Sequence, residues 1–541
     1  MLKLMATIWL FLKFKGDIME KILFKHSDGD CSKKFENFIS KLEDNVCIDF
    51  EKKDYYFSKK VYLKNKNNLI LNGNGATVIS EFNPACHENY TGILHFENCK
   101  DIKIANFNVD TSEAVTPGGE IIAVDNEIHT FDVKLYANRS FDGSQRIIGM
   151  NSMDSKGTPD GIISATHAVG FKYETIGEGI IRIFHKPKSN KPIKVGSQIC
   201  LRHAYAGFAR LKNSAFTFRN STDIFIENMN IYSSVYYLFV IFPRCHNLTL
   251  KKVYVGSPKK IGCLMGTNVD AVHILGLSGK LIMEDCVFSG LGDDALNIHS
   301  SAYTVIKTDK NEADLIHYRP VRQETLPTDE SWCRKGDKII VFNPDFSQKG
   351  TLTVKEFNNG KLIFSDLEGK IKEGDILANS AFYATVDIKN CLCENSRVRA
   401  FILQTENVSI SNCKFFGMAS PAIIIAPDIE MWSEVGPAKN IKIENCIFEK
   451  CGISETSFKK CSIISSCCHS FDKVYPEDVH KNLTILNNKF IDSGAIFLNS
   501  TTGIDIENNQ FVDCTNDSLE ELIVFQNCKE IKLNNNIINN Q

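Results

Sequence analysis

The sequence predicts an all-β fold: a right-handed parallel β-helix solenoid that carries two small inserted β-barrel or β-sandwich domains. Three observations lead to this prediction. A short phrase of alternating apolar residues followed by Asn recurs along the chain. No amphipathic segment of helix length separates the copies, which argues against β-α-β units. The repeat lapses over residues 113–210 and 302–380, where several short, separate strands are predicted instead.

The repeated phrase is apolar-x-apolar-x-Asn-x-x-apolar. Its period of two and its β-branched residues are typical of strands, and its return every 20–50 residues is typical of a solenoid. In a parallel β-helix each coil lies about 4.8 Å from the one before, so equivalent positions form ladders. Copies begin at Ile102, Ile224, Leu281, Val386, Val408, Ile441, Leu483, Ile504 and Ile531.

Cysteine and asparagine return at fixed positions of this repeat. Such cysteines are predicted to be small apolar interior residues, neither disulfide-bonded nor zinc-bound, and the asparagines to stack their amides at the turns. The cysteines are Cys286, Cys391, Cys413 and Cys446 after the repeat's Asn or Asp, and Cys99, Cys245 and Cys528 three residues before a strand. The asparagines are Asn228, Asn390, Asn412, Asn445, Asn487 and Asn508.

The predicted elements divide the chain into six segments. The first is either a signal-like segment or an over-called start, because Leu4 to Leu12 is apolar but no small-x-small cleavage site follows. The location of the protein is therefore left open between the cytoplasm and secretion. The segments are 1–18, the coils 19–112, the insertion 113–210, the coils 211–301, the insertion 302–380 and the coils 381–541.

Composition excludes two classes of protein. The 541 residues are 43% hydrophobic and carry a formal net charge of −3. No basic excess is present to attract phosphates, so no nucleic-acid partner is predicted. No apolar run reaches the roughly 18–20 residues that cross a bilayer, so no membrane span is predicted. Oligomeric state is left open.

The candidate chemistry lies between the two insertions. Asp270 and Asp293 are 23 residues apart, about one coil, so Asp270 is predicted to lie beneath the Asp293–Asp294 pair. Carboxylates this close raise at least one pKa, and a protonated carboxyl beside an ionised one is what general acid/base hydrolysis requires. Gly290 and Gly292 would let the backbone turn sharply there.

Two other interpretations of these aspartates stay open. Gly-Asp-Asp is also common in ordinary turns, and carboxylates clustered on a β-helix can hold calcium. His273 and His299, near coil-related positions, argue against calcium because hard cations prefer oxygen ligands. We therefore predict no metal and no cofactor.

Several separated segments carry a family resemblance. They run from Asp270 through Asn297 to His299, and over residues 201–203, 395–405 and 421–436. In this order they resemble glycoside hydrolase family 110, the exo-acting α-1,3-galactosidases, and the match extends from about residue 60 to 540. Ala271 and Ser300 depart from the family, which usually has Gly at both positions.

The resemblance implies an enzyme that removes terminal α-1,3-linked galactose with inversion, from an α-galactosyl oligosaccharide or glycoconjugate that is blood-group-B-like or linear. It implies Asp293 as general acid and Asp270 and Asp294 as base candidates, with acid and base about 6.5–9.5 Å apart. Arg397 and Arg399 are expected two apart on one strand face. The predicted substrate-binding residues are His273, Asn297, His299, Arg397, Arg399, Trp432, Glu434, Asp428, Arg202 and His203.

Two further functions are not excluded. A polygalacturonase-like enzyme of family 28 shares the β-helix and the pattern of Asn268, Asp270 and the Asp pair, although its Gly-His-Gly and Arg-Ile-Lys motifs are missing here. A non-catalytic glycan-binding β-helix is the other, since β-helices host lyases, hydrolases and adhesins. Release of galactose, release of reducing sugar from pectate, or binding without hydrolysis would separate the three.

Overall fold

The structure is a computed structural model. It describes residues 19–136, 145–154, 159–165, 170–185, 193–203, 208–257, 262–320, 323–364, 371–452, 462–466, 475–476, 478–514 and 516–539. The predicted signal-like segment or over-called start, residues 1–18, lies outside them.

Within the described residues the chain coils into a parallel β-helix, as the sequence predicts. Copies of the repeated phrase lie in register: Ile102 pairs with Ile224, Leu281 with Val386, and Val386 with Val408. They belong to a 23-stranded sheet, here called the first sheet. Its strands are Glu20–Phe24, Val46–Phe50, Asp54–Phe57, Asn67–Asn72, Thr77–Ser80, Lys100–Ala105, Asn108–Thr111, Thr222–Ile231, Cys245–Val255, Leu277–Glu284, Val287–Ser289, Tyr383–Lys389, Leu392–Glu394, Glu406–Ser411, Lys414–Phe416, Lys439–Glu444, Ile447–Glu449, His480–Leu486, Lys489–Ile491, Thr501–Glu507, Gln510–Val512, Lys529–Asn534 and Ile537–Asn539.

A second parallel sheet of 11 strands closes the coils. In each strand the alternate residues that face the first sheet are apolar and buried, as Val272 and Ile274 are, and together with the first sheet they form one continuous core. The strands are Val61–Lys64, Leu94–Glu97, Phe216–Arg219, Phe239–Ile241, Val272–Ile274, Leu296–Ile298, Phe401–Leu403, Ile423–Ile424, Ser462–Ser465, Ala495–Asn499 and Ile523–Gln526.

The repeated asparagines occupy the turns for a reason that differs from the prediction. All six have positive φ, between 50° and 56°, and Asn tolerates this left-handed conformation better than most residues do. At two of these asparagines the side-chain amide also forms a hydrogen bond to the neighbouring coil. Asn228 donates to Asn106 at 2.7 Å, and Asn390 donates to Asp285 at 3.1 Å. Backbone conformation, rather than amide stacking alone, therefore explains the repeat's Asn.

The cysteines follow the prediction of structural, unpaired residues. All cysteines of the described part of the chain are free, and those of the ladder from Cys286 to Cys446 are buried. The backbone N–H of Cys391 donates to Sγ of Cys413 at 3.4 Å, and that of Cys413 to Sγ of Cys446 at 3.4 Å. Each thiol thus accepts a bond from the coil before it.

Each lapse of the repeat contains a separate seven-stranded antiparallel sheet around its own apolar core. The first consists of Gly118–Asp125, Thr130–Leu135, Gly149–Met153, Pro159–Ala165, Lys172–Gly177, Ile180–Phe184 and Gln198–Arg202. The second consists of Tyr303–Asp309, Glu312–Arg319, Glu324–Leu326, Lys338–Phe342, Gln348–Asn358, Lys361–Phe364 and Ile376–Asn379.

The remaining elements are short. Ser300–Ser301 pairs with Glu434–Val435 in a two-stranded sheet. The α-helices are Ser32–Ile39, Ile429–Trp432 and Leu519–Leu522, and the 3₁₀ helices are His87–Asn89, Phe208–Asn213 and Ser380–Phe382. Among the described residues, no helix has both the length and the apolar character needed to span a bilayer.

Candidate active site

The three aspartates lie together where the chain enters adjacent strands of the second sheet. Val272 pairs with Leu296, an offset of 24 residues that places Asp270 level with Asp294. The backbone N–H of Ala271 donates to the carbonyl of Asp294 at 2.9 Å, which fixes the two coils against each other. One oxygen from each of the three carboxylates lies within 4.8 Å of the other two. Asp270, Asp293 and Asp294 are called the acidic trio below.

A sharp bend lets Asp293 and Asp294 belong to one cluster although they are neighbours in sequence. They lie between the strands Val287–Ser289 and Leu296–Ile298. A Cβ on Gly292 would lie 2.2 Å from the carbonyl oxygen of Asn268, so only glycine fits there. Gly290 has a φ of +61°, in the left-handed region that glycine enters at no steric cost.

Two arginines neutralise part of the trio. Arg399 Nε donates to Asp294 Oδ1 at 2.7 Å and its Nη2 to Oδ2 at 3.1 Å, a two-pronged pair. Arg397 Nη2 donates to Asp293 Oδ2 at 3.0 Å, and Arg399 Nη2 reaches Asp293 Oδ1 at 3.5 Å. Both arginines lie in the bend that precedes Phe401–Leu403, so the expectation that they share one strand face is wrong. Their convergence comes from the bend.

Burial and mutual repulsion set the protonation of the trio. Burial raises the pKa of Asp270 well above its usual value, and the charges of Asp293 and Glu434 add to this. Burial also raises the pKa of Asp294, against the lowering effect of Arg399. The side chain of Asp293 is 27% exposed, whereas Asp270 and Asp294 are 7% and 3% exposed. Solvent therefore reaches the trio at Asp293.

A second polar cluster adjoins Asp270. His273 Nδ1 lies 2.7 Å from Asp270 Oδ2, and the Nε2 atoms of His273 and His299 are 3.4 Å apart. His299 Nε2 lies 3.5 Å from Glu434 Oε1. The side-chain amides of Asn297 and Gln404 donate to the other carboxylate oxygen of Glu434, Oε2, at 3.2 and 3.1 Å.

Burial controls the charge of this second cluster as well. It lowers the pKa of His273 and of His299 to about 4, so both rings are neutral at pH 7. Burial would raise the pKa of Glu434, but His299, His273, the Asn297 amide and Arg319 outweigh it and the pKa lies below its usual value. Glu434 is therefore ionised at pH 7.

Two sets of side chains are close enough together for a cation: the acidic trio, and His273, His299 and Glu434. In the trio, two guanidinium groups already neutralise Asp293 and Asp294, which disfavours a cation there. In the second set, His273 lies within hydrogen-bond distance of Asp270 and of His299. The expectation that no metal is needed stays a prediction.

Trp432 and Asp428 frame the loop that carries Glu434. The half-buried Trp432 ring lies 5.1 Å from the guanidinium carbon of Arg319, a residue of the second insertion. Asp428 is buried, accepts the backbone N–H of Glu434 at 3.1 Å through its carbonyl, and donates its own N–H to Gln404. Its observed backbone contacts shape the loop.

Arg202 and His203 lie at the end of the first insertion. Arg202 donates to Asn268 through Nε to Oδ1 at 2.8 Å and through Nη2 to the carbonyl at 2.9 Å. His203 is buried, and its Nδ1 lies 2.8 Å from the carbonyl of Arg146. Arg202 thereby anchors the segment that leads into Asp270, while the contact of His203 holds the insertion.

Sequence reasoning missed three residues around the two clusters. Tyr237 packs its ring 4.8 Å from that of His273, one coil earlier. Gln404 supports Glu434, and Arg319 reaches Trp432 from the second insertion. The position of Gln404, directly after the strand that follows the arginine bend, was a usable signal; Arg319 gave none, because its insertion folds separately from the repeat.

Comparison with known proteins places the chain among β-helix and glycosidase proteins. A family described as right handed beta helix region matches residues 346–474. The chain is 27% identical over 302 residues to alpha-1,3-galactosidase A of Akkermansia muciniphila, which covers 54% of this chain and 48% of that protein. It is 23% identical over 543 residues to alpha-1,3-galactosidase B of Bacteroides thetaiotaomicron, with 90% and 82% covered. The chain thus spans about half of the first relative and most of the second.

Among solved structures, the family 28 exopolygalacturonase of Yersinia enterocolitica is similar, with a TM-score of 0.50 and 8% identity over 96% of this chain and 79% of that one. At this identity the likeness shows the β-helix fold alone.

Proposed function

We propose that this protein is a glycoside hydrolase of family 110 that releases terminal α-1,3-linked galactose from oligosaccharides or glycan chains. The observation that carries the proposal is the acidic trio, three carboxylates within 4.8 Å of one another and opposed by two arginines. Relatives named alpha-1,3-galactosidase support the substrate class. Branched and linear α-1,3-galactosides are both proposed as substrates.

The roles within the trio follow from exposure and charge. Asp293 is the most exposed member and is proposed to protonate the leaving oxygen. Arg397 and Arg399 donate to its two carboxylate oxygens at 3.0 and 3.5 Å. Asp270 and Asp294 are proposed as bases, because a raised pKa makes a carboxylate a stronger proton acceptor.

Inversion is proposed from the family resemblance and not from spacing. The carboxylate oxygens are closer than the roughly 6.5–9.5 Å typical of inverting enzymes. A separation of this size can instead be bridged by one water, at about 2.8 Å from each oxygen. A water held between Asp270 and Asp294 is therefore proposed as the nucleophile.

The proposed sugar contacts are the polar and aromatic groups around the trio. Arg397 and Arg399 would donate to hydroxyls, and the half-buried Trp432 would pack against the apolar face of the ring. Asn297, Glu434, His273 and His299 form the buried floor. Arg202, His203 and Asp428 are proposed to act on the sugar through the loops they hold.

The testing experiment follows the first-released sugar from α-1,3-galactosides by NMR. We expect β-galactose from the wild type, and a loss of about 10²–10⁴ in kcat for Asp293→Asn and Asp270→Asn. α-Galactose as the first product would contradict inversion and indicate a mechanism with a covalent glycosyl-enzyme intermediate. Release of reducing sugar from pectate, or glycan binding without hydrolysis, would contradict the proposed function. The first outcome would indicate a polygalacturonase-like enzyme and the second a non-catalytic glycan-binding protein.

A further inference from the structure

The second insertion contacts the loop that carries Glu434 at two consecutive residues. The hydroxyl of Ser433 donates to the backbone carbonyl of Tyr318. The guanidinium carbon of Arg319, the next residue of that strand, lies 5.1 Å from the centroid of the Trp432 ring. Two neighbouring residues of the insertion therefore contact the two loop residues that directly precede Glu434.

The insertion also reaches the strand that pairs with Glu434. Nε1 of Trp332 donates to the carbonyl of Ser301 at 3.0 Å, and Ser301 pairs with Glu434 in the two-stranded sheet. Trp332 is fully buried in the insertion's own apolar core. The core of the insertion is thus connected to Glu434 through its strand partner as well as through the preceding residue.

Ser433 has a backbone conformation that serine rarely adopts. It ends the short helix Ile429–Trp432 with φ 56° and ψ 40°, in the left-handed region, where glycine is the usual residue. A strained conformation of this kind persists only where the surrounding contacts hold it. The side chain is buried, and its hydroxyl bond to Tyr318 is joined by a bond from the N–H of Ala302 to the Ser433 carbonyl at 2.8 Å.

The position of Ser433 determines where its two neighbours lie. A change in its backbone angles moves the Trp432 ring and the Glu434 carboxylate together, because both residues are bonded directly to it. These two side chains form one side of the proposed sugar site. The acidic trio is held separately by contacts between coils, such as the bond from Ala271 to the carbonyl of Asp294 at 2.9 Å.

We propose that Ser433 is a positioning residue through which the second insertion sets the affinity of the site for its sugar. The inference rests on the proposed function, in which Trp432 and Glu434 contribute to sugar binding. Ser433 acts through these two neighbours. The second insertion is therefore part of the binding site, although its core is separate from that of the β-helix.

The test compares KM and kcat for an α-1,3-galactoside in Ser433→Gly and Ser433→Ala. Glycine removes the hydroxyl bond but adopts a positive φ at no steric cost, so KM should rise about fivefold while the midpoint of thermal unfolding stays close to wild type. Alanine removes the bond and keeps the strain, so KM should rise about tenfold or more. In both variants kcat should stay within about threefold of wild type, because the acidic trio keeps its place.

The control is Ser380→Ala, which removes another hydroxyl bond of the second insertion. The Ser380 hydroxyl donates to the carbonyl of Lys338 at 2.8 Å, and both KM and kcat should match the wild type. An unchanged KM in both Ser433 variants would overturn the proposal. Loss of kcat and of thermal stability with an unchanged KM would overturn it as well, because that pattern indicates a structural role alone. If Ser433→Ala does not fold, Ser433→Gly decides by itself.

A readout without substrate separates this proposal from the proposed function. Acrylamide quenching of fluorescence reports the accessibility of Trp432, whose share of the signal is the difference between the protein and its Trp432→Phe variant. Quenching of Trp432 should increase in Ser433→Gly, and unchanged quenching would contradict the link between the insertion and the loop. A protein in which quenching increases but which releases no galactose contradicts the proposed function and leaves that link in place.

Discussion

Arg399 is the residue that balances the charge of the acidic trio. It holds both oxygens of Asp294 and reaches Asp293, so it is the largest influence opposing the rise that burial causes in the pKa of Asp294. The arginine fork suits such two-pronged recognition, whereas lysine offers only a point charge. Substitution of Arg399 by Met and by Lys therefore separates the effect of its charge from that of its geometry.

Arg399→Met is expected to move the acidic limb of kcat/KM to higher pH, by about one unit. Without the guanidinium, the pKa of Asp294 rises further, so a smaller fraction of the base is ionised at any given pH. Arg399→Lys keeps the charge and should move the limb less while still lowering kcat. The measurement is kcat/KM from pH 4 to 9. An unmoved limb in both variants would mean that Asp294 does not act as an ionised base.

At the scale of the element, the bend at Gly292 positions Asp293 and Asp294 in the acidic trio. A Cβ on Gly292 would lie 2.2 Å from the Asn268 carbonyl oxygen of the previous coil, so no side chain fits there. Arg202 holds the same Asn268 from the first insertion. The position of Asp293 and Asp294 thus depends on packing between coils.

Gly292→Ala should shift this bend and lower both stability and turnover. The new Cβ would meet backbone atoms, which cannot move aside as a flexible side chain can, so we expect a loss of about 2–4 kcal/mol in the free energy of unfolding. Urea unfolding and kcat measure the two effects. Gly177→Ala is the control, because its Cβ would lie at an ordinary 3.6 Å from Ile180. Equal stability of both variants would contradict the argument.

The sequence predicts regular elements well because the repeat is local and periodic. The copies from Ile224 to Ile531 pair in the expected register. The spacing of 23 residues predicts that Asp270 lies beneath the Asp pair. The observed offset between the two coils is 24 residues, which aligns Asp270 with Asp294. The spacing of Arg397 and Arg399 predicts one strand face, whereas both residues lie in the bend before Phe401–Leu403. Contacts made by an insertion, such as Arg319 with Trp432, have no periodic signal.

At the scale of the molecule, stability is distributed along a column of coils. One core runs from Phe24 to Ile523, while each insertion has a core of its own. A solenoid of this kind gains its stability from contacts between neighbouring coils. The site, built from four successive coils, therefore depends on the local integrity of the column more than on its ends.

The phenylalanine stack in the C-terminal coils tests this description. Phe415, Phe448 and Phe490 lie face to face, with centroids 4.7 and 5.0 Å apart. Phe448→Ala removes the middle ring and leaves a cavity bounded by two coils, so we expect a loss of about 3–5 kcal/mol. The control is Phe225→Ala, which removes a half-buried ring from the outer face of the same sheet and should cost less free energy of unfolding.

Hydrogen exchange should localise the effect of Phe448→Ala. If coils interact only with their neighbours, protection falls first in the strands Lys414–Phe416, Ile447–Glu449 and Lys489–Ile491. Strands before residue 260 should keep their wild-type exchange, and the insertions should as well, because their cores are separate. A uniform loss of protection along the whole chain would instead show that the β-helix unfolds as one cooperative unit.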